Sequence, residues 1–272
     1  MRLSCGRFTF ALDRPLVMGI VNVTPDSFSD GGAFFEGSSA IAHGLALRGQ
    51  GADLVDVGGE STRPGAAAVG LEEELRRVMP VIEALVREGV AVSVDTLKPQ
   101  VMRAAIEAGA AMVNDVNGFR AEGAIDAVAS ANAGLCVMHM KGTPATMQAD
   151  PRYDDVVAEV SAYLRARAAA LEAAGVAHDR IVVDPGFGFG KKIAHNVALF
   201  RAIPALASIG YPVLAGLSRK RTIGEITGRA VDDRMAGSVA ASLLAVQNGA
   251  NLVRVHDVKE TVDAIKVWMA LG

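Results

Sequence analysis

Apolar and polar positions alternate in two ways along this chain. Short runs rich in Val, Ile and Leu recur about every 25 to 45 residues, and Ala- and Leu-rich segments with helical spacing lie between them. The runs predict strands at residues 17–23, 54–57, 91–94, 111–113, 135–138, 181–183, 213–215 and 252–255. The clearest predicted helices are at residues 72–87, 99–108, 154–174, 234–248 and 259–271, several of which end at a glycine.

Eight strand–helix units in roughly 250 residues predict an α/β fold, the (β/α)8 TIM barrel. The alternative is an open, doubly wound sheet, which usually has fewer strands and one dominant glycine-rich nucleotide turn. No unit dominates here. The first dozen or so residues alternate around Gly6 and predict a short N-terminal hairpin that plugs the barrel floor. Without a linker or a repeat, residues 1–272 are predicted to form one domain.

Composition narrows the class of protein. Hydrophobic residues make up 51% and aromatic residues 5%, so the core is aliphatic, as suits a parallel sheet wrapped by helices. The net charge of −3 without a basic stripe argues against nucleic acid or a membrane surface as partner. No apolar run has the length of a signal peptide or a membrane span. Cys136 lies in an apolar run and is predicted to be a reduced core thiol, in a cytoplasmic protein.

Polar residues end the predicted strands, and in a TIM barrel that face carries the chemistry. They are Asn22, Asp56, Asp95, Asn114, His139, Asp184, Ser218 to Lys220, Arg254 and His256. Helix capping is the ordinary explanation for a polar residue at such a position. It does not account well for the whole set, because several of these residues come too early to be caps.

Two of these strand ends predict ligand contacts. Asp184 follows a β-branched run and precedes a glycine-rich turn, which is how an α/β protein presents one acid to a small ligand. Arg254 and His256 are one residue apart, so their side chains face the same side of the last strand. Two basic groups in a barrel mouth favour a bound anion, and phosphate commonly binds near the last strands of this fold.

Other site classes fit poorly. The turn at residues 186–191 has three residues between its outer glycines and Lys192 after its lysine, so it matches neither a P-loop nor a dinucleotide fingerprint. His43, His178 and His195 fall in or beside predicted helices, where surface roles are favoured, and no two histidines have zinc spacing. A hard metal held by oxygen ligands stays open.

The motifs resemble, nearly end to end, those of the dihydropteroate synthase family. The matching segments are MGIVNVTPDSFSDGG at 18–32, GGESTRPG at 58–65, VDT at 94–96, NDV at 114–116, DPGFGFGK at 184–191, GLSRK at 216–220 and RVH at 254–256. The resemblance implies a homodimeric barrel that joins 6-hydroxymethyl-7,8-dihydropterin diphosphate to p-aminobenzoate, giving dihydropteroate and diphosphate in folate synthesis. It also implies competition by sulfonamides.

The resemblance assigns roles to individual residues. Pterin binding falls to Asp95, Asn114, Asp184 and Lys220, with Val116, Met138 and Phe189 as apolar walls. Diphosphate binding falls to Asn22, Thr62, Arg254 and His256, and p-aminobenzoate binding to Phe28, Arg63, Pro64, Ser218 and Arg221. Mg²⁺ is the expected cofactor, on Asn22 and Asp30. The catalytic set is Asn22, Lys220, Arg254 and His256, and segments 24–37 and 61–70 are expected to act as lids.

The residues alone leave two alternative functions open. A pterin-binding methyltransferase shares the barrel and the pterin acids but needs no diphosphate site, so Arg254, His256 and the Asn22 loop argue against it. The second alternative is a catalytically silent barrel that only binds pterin. Such a protein would not need all of the polar residues at the strand ends, so the presence of the complete set argues against it. Position 221 is Arg where many members of the family carry Ser, a variation expected to affect how sulfonamides fit.

Overall fold

The apolar runs form parallel strands that wrap into a barrel. The computed structural model describes residues 1–24, 32–62 and 65–271, with the backbone alone for residues 32–36. The strands are β1 (Arg2–Cys5), β2 (Phe8–Ala11), β3 (Leu16–Asn22), β4 (Leu54–Gly58), β5 (Val92–Asp95), β6 (Met112–Asp115), β7 (Gly134–Met138), β8 (Ile181–Asp184), β9 (Leu214–Ala215) and β10 (Leu252–Val255). The last eight form one sheet in the order β8-β7-β6-β5-β4-β3-β10-β9.

The two edges of that sheet meet, which makes it a barrel. A parallel bridge pairs Val183 of β8 with Val213, the residue before β9, and the Val183 N–H donates to the Pro212 carbonyl at 2.9 Å. Every paired neighbour among β3 to β10 is parallel. The predicted eight-stranded α/β barrel is therefore confirmed.

Helices cover the outside of the barrel. They are α1 (Gly32–Gly49), α2 (Leu71–Arg87), α3 (Pro99–Glu107), α4 (Ala124–Val128), α5 (Val156–Ala173), α6 (Ile193–Arg201), α7 (Ile203–Ala207), α8 (Arg221–Thr227), α9 (Met235–Gln247) and α10 (Val258–Leu271). The apolar stripe of α2, with Ile82 and Leu85, packs in one cluster with outward residues of the strands such as Val55 and Val94. Both faces of the sheet are thereby buried, which explains why the strands are continuous apolar runs.

The N-terminal hairpin closes the barrel floor. Strands β1 and β2 pair antiparallel, and Leu3 and Cys5 are fully buried against inward residues of the barrel, including Met18 and Cys136. The predicted hairpin is confirmed, and both cysteines are buried free thiols. Because this floor is apolar, the polar inward residues are confined to the opposite mouth.

Most predicted element bounds are correct to within two residues. The main difference is at the carboxyl ends, where β5, β6 and β8 continue into Asp95, Asp115 and Asp184. The sequence pattern instead predicts that Asp95 and Asp184 follow their strands, and that Asn114 follows the strand at 111–113. Among the helices of the described residues, none is long and apolar enough to cross a membrane.

Candidate active site at the barrel mouth

The two-residue period of each strand carries polar side chains into the mouth. Leu54 and Leu252 belong to the floor cluster, so Asp56 and Arg254, two residues further on, face the interior one layer higher. The same alternation brings in Asn22, Asp95, Asn114, Met138 and Asp184 from β3, β5, β6, β7 and β8. Seven strands thus supply functional side chains to the same mouth of the barrel, as the sequence pattern predicted.

Arg254 lies between two carboxylates. Its Nε donates to Asp56 Oδ2 at 2.6 Å and its Nη2 to Asp95 Oδ2 at 2.9 Å. Asn114 Nδ2 donates to the same Asp56 oxygen at 3.1 Å. The guanidinium therefore fixes the positions of Asp56 and of Asp95, which was predicted to bind pterin, in addition to any role in binding an anion.

Burial and neighbouring charges shift the pKa values of this group in opposite directions. Burial raises the pKa of Asp95 to about 7, against the pull of the Arg254 guanidinium and with the support of the Asp56 charge. Burial opposes the charge on Arg254, but Asp56 and Asp95 outweigh it and raise the pKa of the guanidinium above its usual value. Arg254 is thus a fixed cation, and burial makes Asp95 easier to protonate than an exposed carboxyl group.

Three buried acceptors of this group face no donor within the described residues. They are Asp56 Oδ1, Asp95 Oδ1 and Asn114 Oδ1. Buried acceptors are almost always hydrogen-bonded in proteins, and each one left unpaired costs about 1–3 kcal/mol. The arrangement is suited to a ligand that presents several N–H donors along one edge.

Asp184 and Lys220 form the neighbouring part of the mouth. Asp184 Oδ1 accepts from the Gly186 N–H at 2.7 Å, and Lys220 Nζ donates to the Phe187 carbonyl at 2.6 Å. Burial lowers the pKa of Lys220 to about 8 while the Asp184 charge acts against that shift, and burial raises the pKa of Asp184. The two side chains offer an acceptor and a donor to one ligand.

An apolar wall stands beside the acceptors. Val116 and Met138 are buried in a small cluster of their own, and the half-buried Phe189 packs against it. The Phe189 ring centroid is 4.6 Å from Lys220 Nζ, close enough for a cation–π contact. The three predicted wall residues are thus brought together. Met140 and Met147 complete the cluster and were not predicted.

Of the remaining predicted residues that the structure describes, Thr62 is half-buried in the loop after β4, and the other three divide into two groups. Ser218 Oγ lies 3.0 Å from His256 Nδ1 and accepts from the His256 N–H at 3.2 Å, so these two form one unit. Arg221 is instead exposed, with its Nε 2.5 Å from Glu225 Oε1 on the same helix. In this structure its side chain contacts Glu225 rather than another predicted site residue.

Comparison with known proteins agrees with this geometry. The profile of the family described as pterin binding enzyme matches residues 18–256. A curated relative, the dihydropteroate synthase of Neisseria meningitidis serogroup B, is 53% identical over 274 residues, covering 98% of this chain and 96% of the relative. The chain belongs to the dihydropteroate synthase family. It is a transferase of that family.

Solved structures of dihydropteroate synthases share the fold closely. A Xanthomonas albilineans enzyme with 4-aminobenzoic acid is 59% identical with a TM-score of 0.94, covering 99% of this chain and 97% of that one. The same organism's enzyme with 7,8-dihydropteroate is 55% identical with a TM-score of 0.91, covering 100% and 98%. A Yersinia pestis enzyme with a sulfonamide drug complex is 44% identical with a TM-score of 0.94, covering 99% and 98%.

One residue of the acceptor group was not predicted to bind a ligand. Asp56 was recognised as a strand end but was given no role, although it lies at the centre of the acceptor group. Leu54, two residues earlier on the same strand, faces the barrel interior, so the two-residue period of the strand indicates that Asp56 faces inward as well. The predicted residues Phe28, Asp30, Arg63 and Pro64 lie outside the described residues, and their roles stay predictions.

Proposed function

We propose that this protein condenses 6-hydroxymethyl-7,8-dihydropterin diphosphate with p-aminobenzoate, giving 7,8-dihydropteroate and diphosphate for folate synthesis. The structural observation that carries the proposal is the buried row of acceptors without donors on Asp56, Asp95 and Asn114. A pterin presents an amidine-like edge of N–H donors of the kind that such a row requires. Relatives that are dihydropteroate synthases support this reaction over a methyltransferase or a silent binding barrel.

The pterin is proposed to lie flat against the apolar wall. Val116, Met138 and Phe189 contact its faces, while Asp95, Asn114 and Asp184 accept from its N–H groups. Lys220, held at the Phe187 carbonyl, donates to the ring carbonyl or a ring nitrogen. This arrangement satisfies buried groups that would otherwise be unpaired.

The reaction substitutes one bond at the exocyclic methylene of the pterin. The C–O bond to diphosphate breaks with its electron pair on oxygen, and the electron-rich ring stabilises the positive charge left on the methylene. The lone pair of the aryl amine then forms the C–N bond, and the nitrogen releases a proton to water. A neutral aryl amine needs no strong base, so the protein contributes mainly by positioning and by stabilising the leaving group.

Diphosphate is proposed to lie over Arg254 and His256, with Thr62 and Asn22 nearby. Arg254 is already hydrogen-bonded to two carboxylates, so its position is fixed before the substrate arrives. Asn22 ends β3 on the inward side and offers an amide oxygen, a ligand type that Mg²⁺ accepts.

Magnesium is proposed to be held by Asn22 and Asp30 together with diphosphate oxygens and water. The described residues contain no group of three or more His, Cys, Asp or Glu arranged for a metal ion. A site completed by the substrate fits that donor set, since Mg²⁺ commonly binds through one or two protein ligands plus phosphates. When bound, the ion would neutralise charge on the leaving diphosphate.

The p-aminobenzoate site is proposed at Ser218, next to His256, with Phe28, Arg63, Pro64 and Arg221 as further contacts. Sulfonamides are proposed to compete there, because they share the aryl amine of p-aminobenzoate. The complexes of the related enzymes with 4-aminobenzoic acid and with a sulfonamide support both assignments.

A homodimer is proposed through α9 and α10. Leu244 on α9 is 50% exposed, and Val267 and Met269 on α10 are 58% and 50% exposed. A shallow hollow between the two helices is lined by Leu243, Trp268 and their neighbours. Sedimentation of the protein and of a Leu244→Lys/Val267→Lys variant tests this: a dimer that becomes monomeric is expected, and a monomeric wild type would contradict it.

The decisive experiment for the function is diphosphate release from the pterin ester with Mg²⁺, with and without p-aminobenzoate. Release coupled to formation of dihydropteroate is expected. Tight pterin binding without turnover would contradict the proposal and would favour a silent barrel. Transfer of a methyl group from a methylated folate would favour the methyltransferase.

A further inference from the structure

The glycine-rich turn after β8 is tied down by side chains at every carbonyl from residue 186 to residue 190. Lys191 Nζ donates to the Gly186 and Phe189 carbonyls at 2.9 and 3.0 Å. The remaining donors are Lys220 to Phe187 at 2.6 Å, Gln148 to Gly188 at 2.5 Å and Tyr153 to Gly190 at 2.8 Å. Lys191 is the donor that contacts two carbonyls of this turn.

Lys191 also connects the turn to the end of β7. Its Nζ lies 2.9 Å from His139 Nδ1 and 3.3 Å from the His139 carbonyl, and the Lys191 residue is only 3% exposed. Burial lowers the pKa of His139 to about 3, with the Lys191 charge adding to that shift, so the imidazole is neutral and Nδ1 accepts. His139 directly follows Met138, a wall residue of the site.

The turn packs against β7 without spare room. A Cβ added at Gly186 would lie 1.9 Å from the His139 carbonyl oxygen, and one at Gly190 would lie 2.4 Å from the Lys141 carbonyl oxygen. Both glycines have positive φ, at 67° and 63°. The backbone of the turn is therefore seated on the strand end, and Lys191 is the buried group that holds it there.

We propose that Lys191 is a positioning residue for the pterin half of the site. Lys191 holds the Gly186 and Phe189 carbonyls against His139. It thereby fixes the position of the Phe189 ring and of the Phe187 carbonyl, which in turn orients Lys220. It reaches no reacting atom itself. The inference rests on the proposed function, since it concerns how this chain positions the pterin.

The test replaces Lys191 with Met, which keeps the length of the side chain and removes the ammonium. Calorimetry with 6-hydroxymethylpterin measures the pterin site, and steady-state kinetics give KM for each substrate. We expect pterin affinity to fall about tenfold or more, because the wall and Lys220 lose their fixed positions, while KM for p-aminobenzoate changes less than about threefold.

The adjacent Lys192 provides a matched control. Its side chain is 57% exposed and its Nζ lies 3.4 Å from Asp150 on the surface. Lys192→Met is expected to bind 6-hydroxymethylpterin as the wild type does. A folded Lys191→Met protein with wild-type pterin affinity would overturn the inference, as would equal losses for both substrates.

A second variant covers the outcome in which Lys191→Met does not fold. Lys191→Gln keeps N–H donors, but its side chain is one bond shorter and has two N–H groups where the lysine has three. It therefore cannot make all four contacts of Lys191 Nζ, and we expect it to lose part of the pterin affinity. A folded Lys191→Gln protein with wild-type affinity and wild-type KM values for both substrates would refute the inference. Wild-type protein that binds the pterin but forms no dihydropteroate would instead refute the proposed function.

Discussion

At the scale of single residues, the mouth is a set of charges that compensate one another. Arg254 holds Asp56 and Asp95, and each partner makes the burial of the other tolerable. Removing one member of such a buried group costs more than the pair contributes, because an uncompensated charge is left behind. Substitutions here therefore affect folding and binding together, and the two must be measured separately.

Asp184→Ala is predicted to abolish most of the pterin affinity. Asp184 is 5% exposed and supplies a carboxylate beside the acceptor row, so its loss leaves N–H donors of the ligand unpaired. We expect affinity for 6-hydroxymethylpterin to fall about 100-fold, measured by calorimetry. Asp232→Ala, at an exposed position, serves as the control. Unchanged affinity in a folded Asp184→Ala protein would remove Asp184 from the site.

Arg254→Ala is predicted to lower the free energy of unfolding by about 3–5 kcal/mol, because Asp56 and Asp95 are left without their cation. Adding Asp95→Asn to that variant removes one carboxylate and should restore part of the loss. Urea unfolding of both proteins measures the difference. Equal stability of the single and double variants would show that the carboxylates do not depend on Arg254.

Arg254→Ala is also predicted to weaken binding. In folded protein, the affinity for the pterin diphosphate ester should fall more than the affinity for the free pterin alcohol.

His139 predicts a pH dependence of stability. Its native pKa of about 3 lies below the ordinary value of 6.5, so the unfolded chain binds a proton between these values and the native state does not. The contribution of the neutral imidazole to the free energy of unfolding is complete above pH 6.5. It is lost progressively as the pH falls from about 6.5 to about 3. His139→Gln should therefore lose less stability than the wild type between pH 7 and pH 5. Urea midpoints across that range measure it, with the exposed His178→Gln as control; parallel curves would contradict it.

At the scale of elements, a half-buried lysine, Lys98, joins α2 and α3 to the loop after β4. Lys98 at the N-terminus of α3 contacts Glu60 and Glu74, and the Glu74 side chain is fully buried. Glu60 lies in the motif GGESTRPG, so this ion pair anchors the base of the second predicted lid. The helices thereby determine where that loop leaves the barrel.

Lys98→Met is predicted to lower the free energy of unfolding by about 3 kcal/mol, because it leaves the buried Glu74 carboxylate unpaired. Arg76→Met is the matched control, since Arg76 pairs with Glu73 at the surface and exposed pairs contribute about 0–1 kcal/mol. Chemical unfolding of both variants makes the comparison. A Lys98→Met loss as small as that of Arg76→Met would mean that Glu74 finds another partner or a proton.

At the scale of the whole molecule, the barrel separates stability from chemistry along its axis. The floor is filled by the hairpin and by apolar inward residues such as Leu16 and Met112, whereas the mouth holds Asp56, Asn114 and Asp184. Along a strand, an inward residue near the amino end belongs to the floor, and the inward residue two positions or more further on belongs to the mouth. Floor substitutions are therefore expected to change stability without changing the site.

Leu3→Ala tests that separation. Leu3 is fully buried in the floor, so its truncation should lower the free energy of unfolding by about 2–5 kcal/mol and leave pterin affinity unchanged. Leu45→Ala, at a position 37% exposed on α1, should cost far less. Urea unfolding and calorimetry on the same samples provide both measurements. A large loss of pterin affinity in Leu3→Ala would show that floor and mouth are coupled.

The sequence by itself determined the strands, the barrel and most of the mouth. Short, continuous, β-branched apolar runs are typical of strands buried on both faces. The two-residue period then places Asn22, Asp95 and Asp184 on the inward face, and their positions after the runs place them at the carboxyl end. The spacing of Arg254 and His256 likewise put both on the inward side of the last strand. These conclusions depend on local periodicity, which a sequence displays directly.

Only the tertiary structure decided which partners these side chains take. The ion pair of Arg254 with Asp56 joins residues that are 198 positions apart in the sequence. The hydrogen bond of Lys191 to His139 joins residues that are 52 positions apart. Such contacts depend on how the barrel closes and how closely a turn approaches a neighbouring strand, which no local pattern encodes. The contact of Arg221 with Glu225 is different, because these residues are four apart on α8 and their pairing is local, and the role of Arg221 at the p-aminobenzoate site stays a prediction.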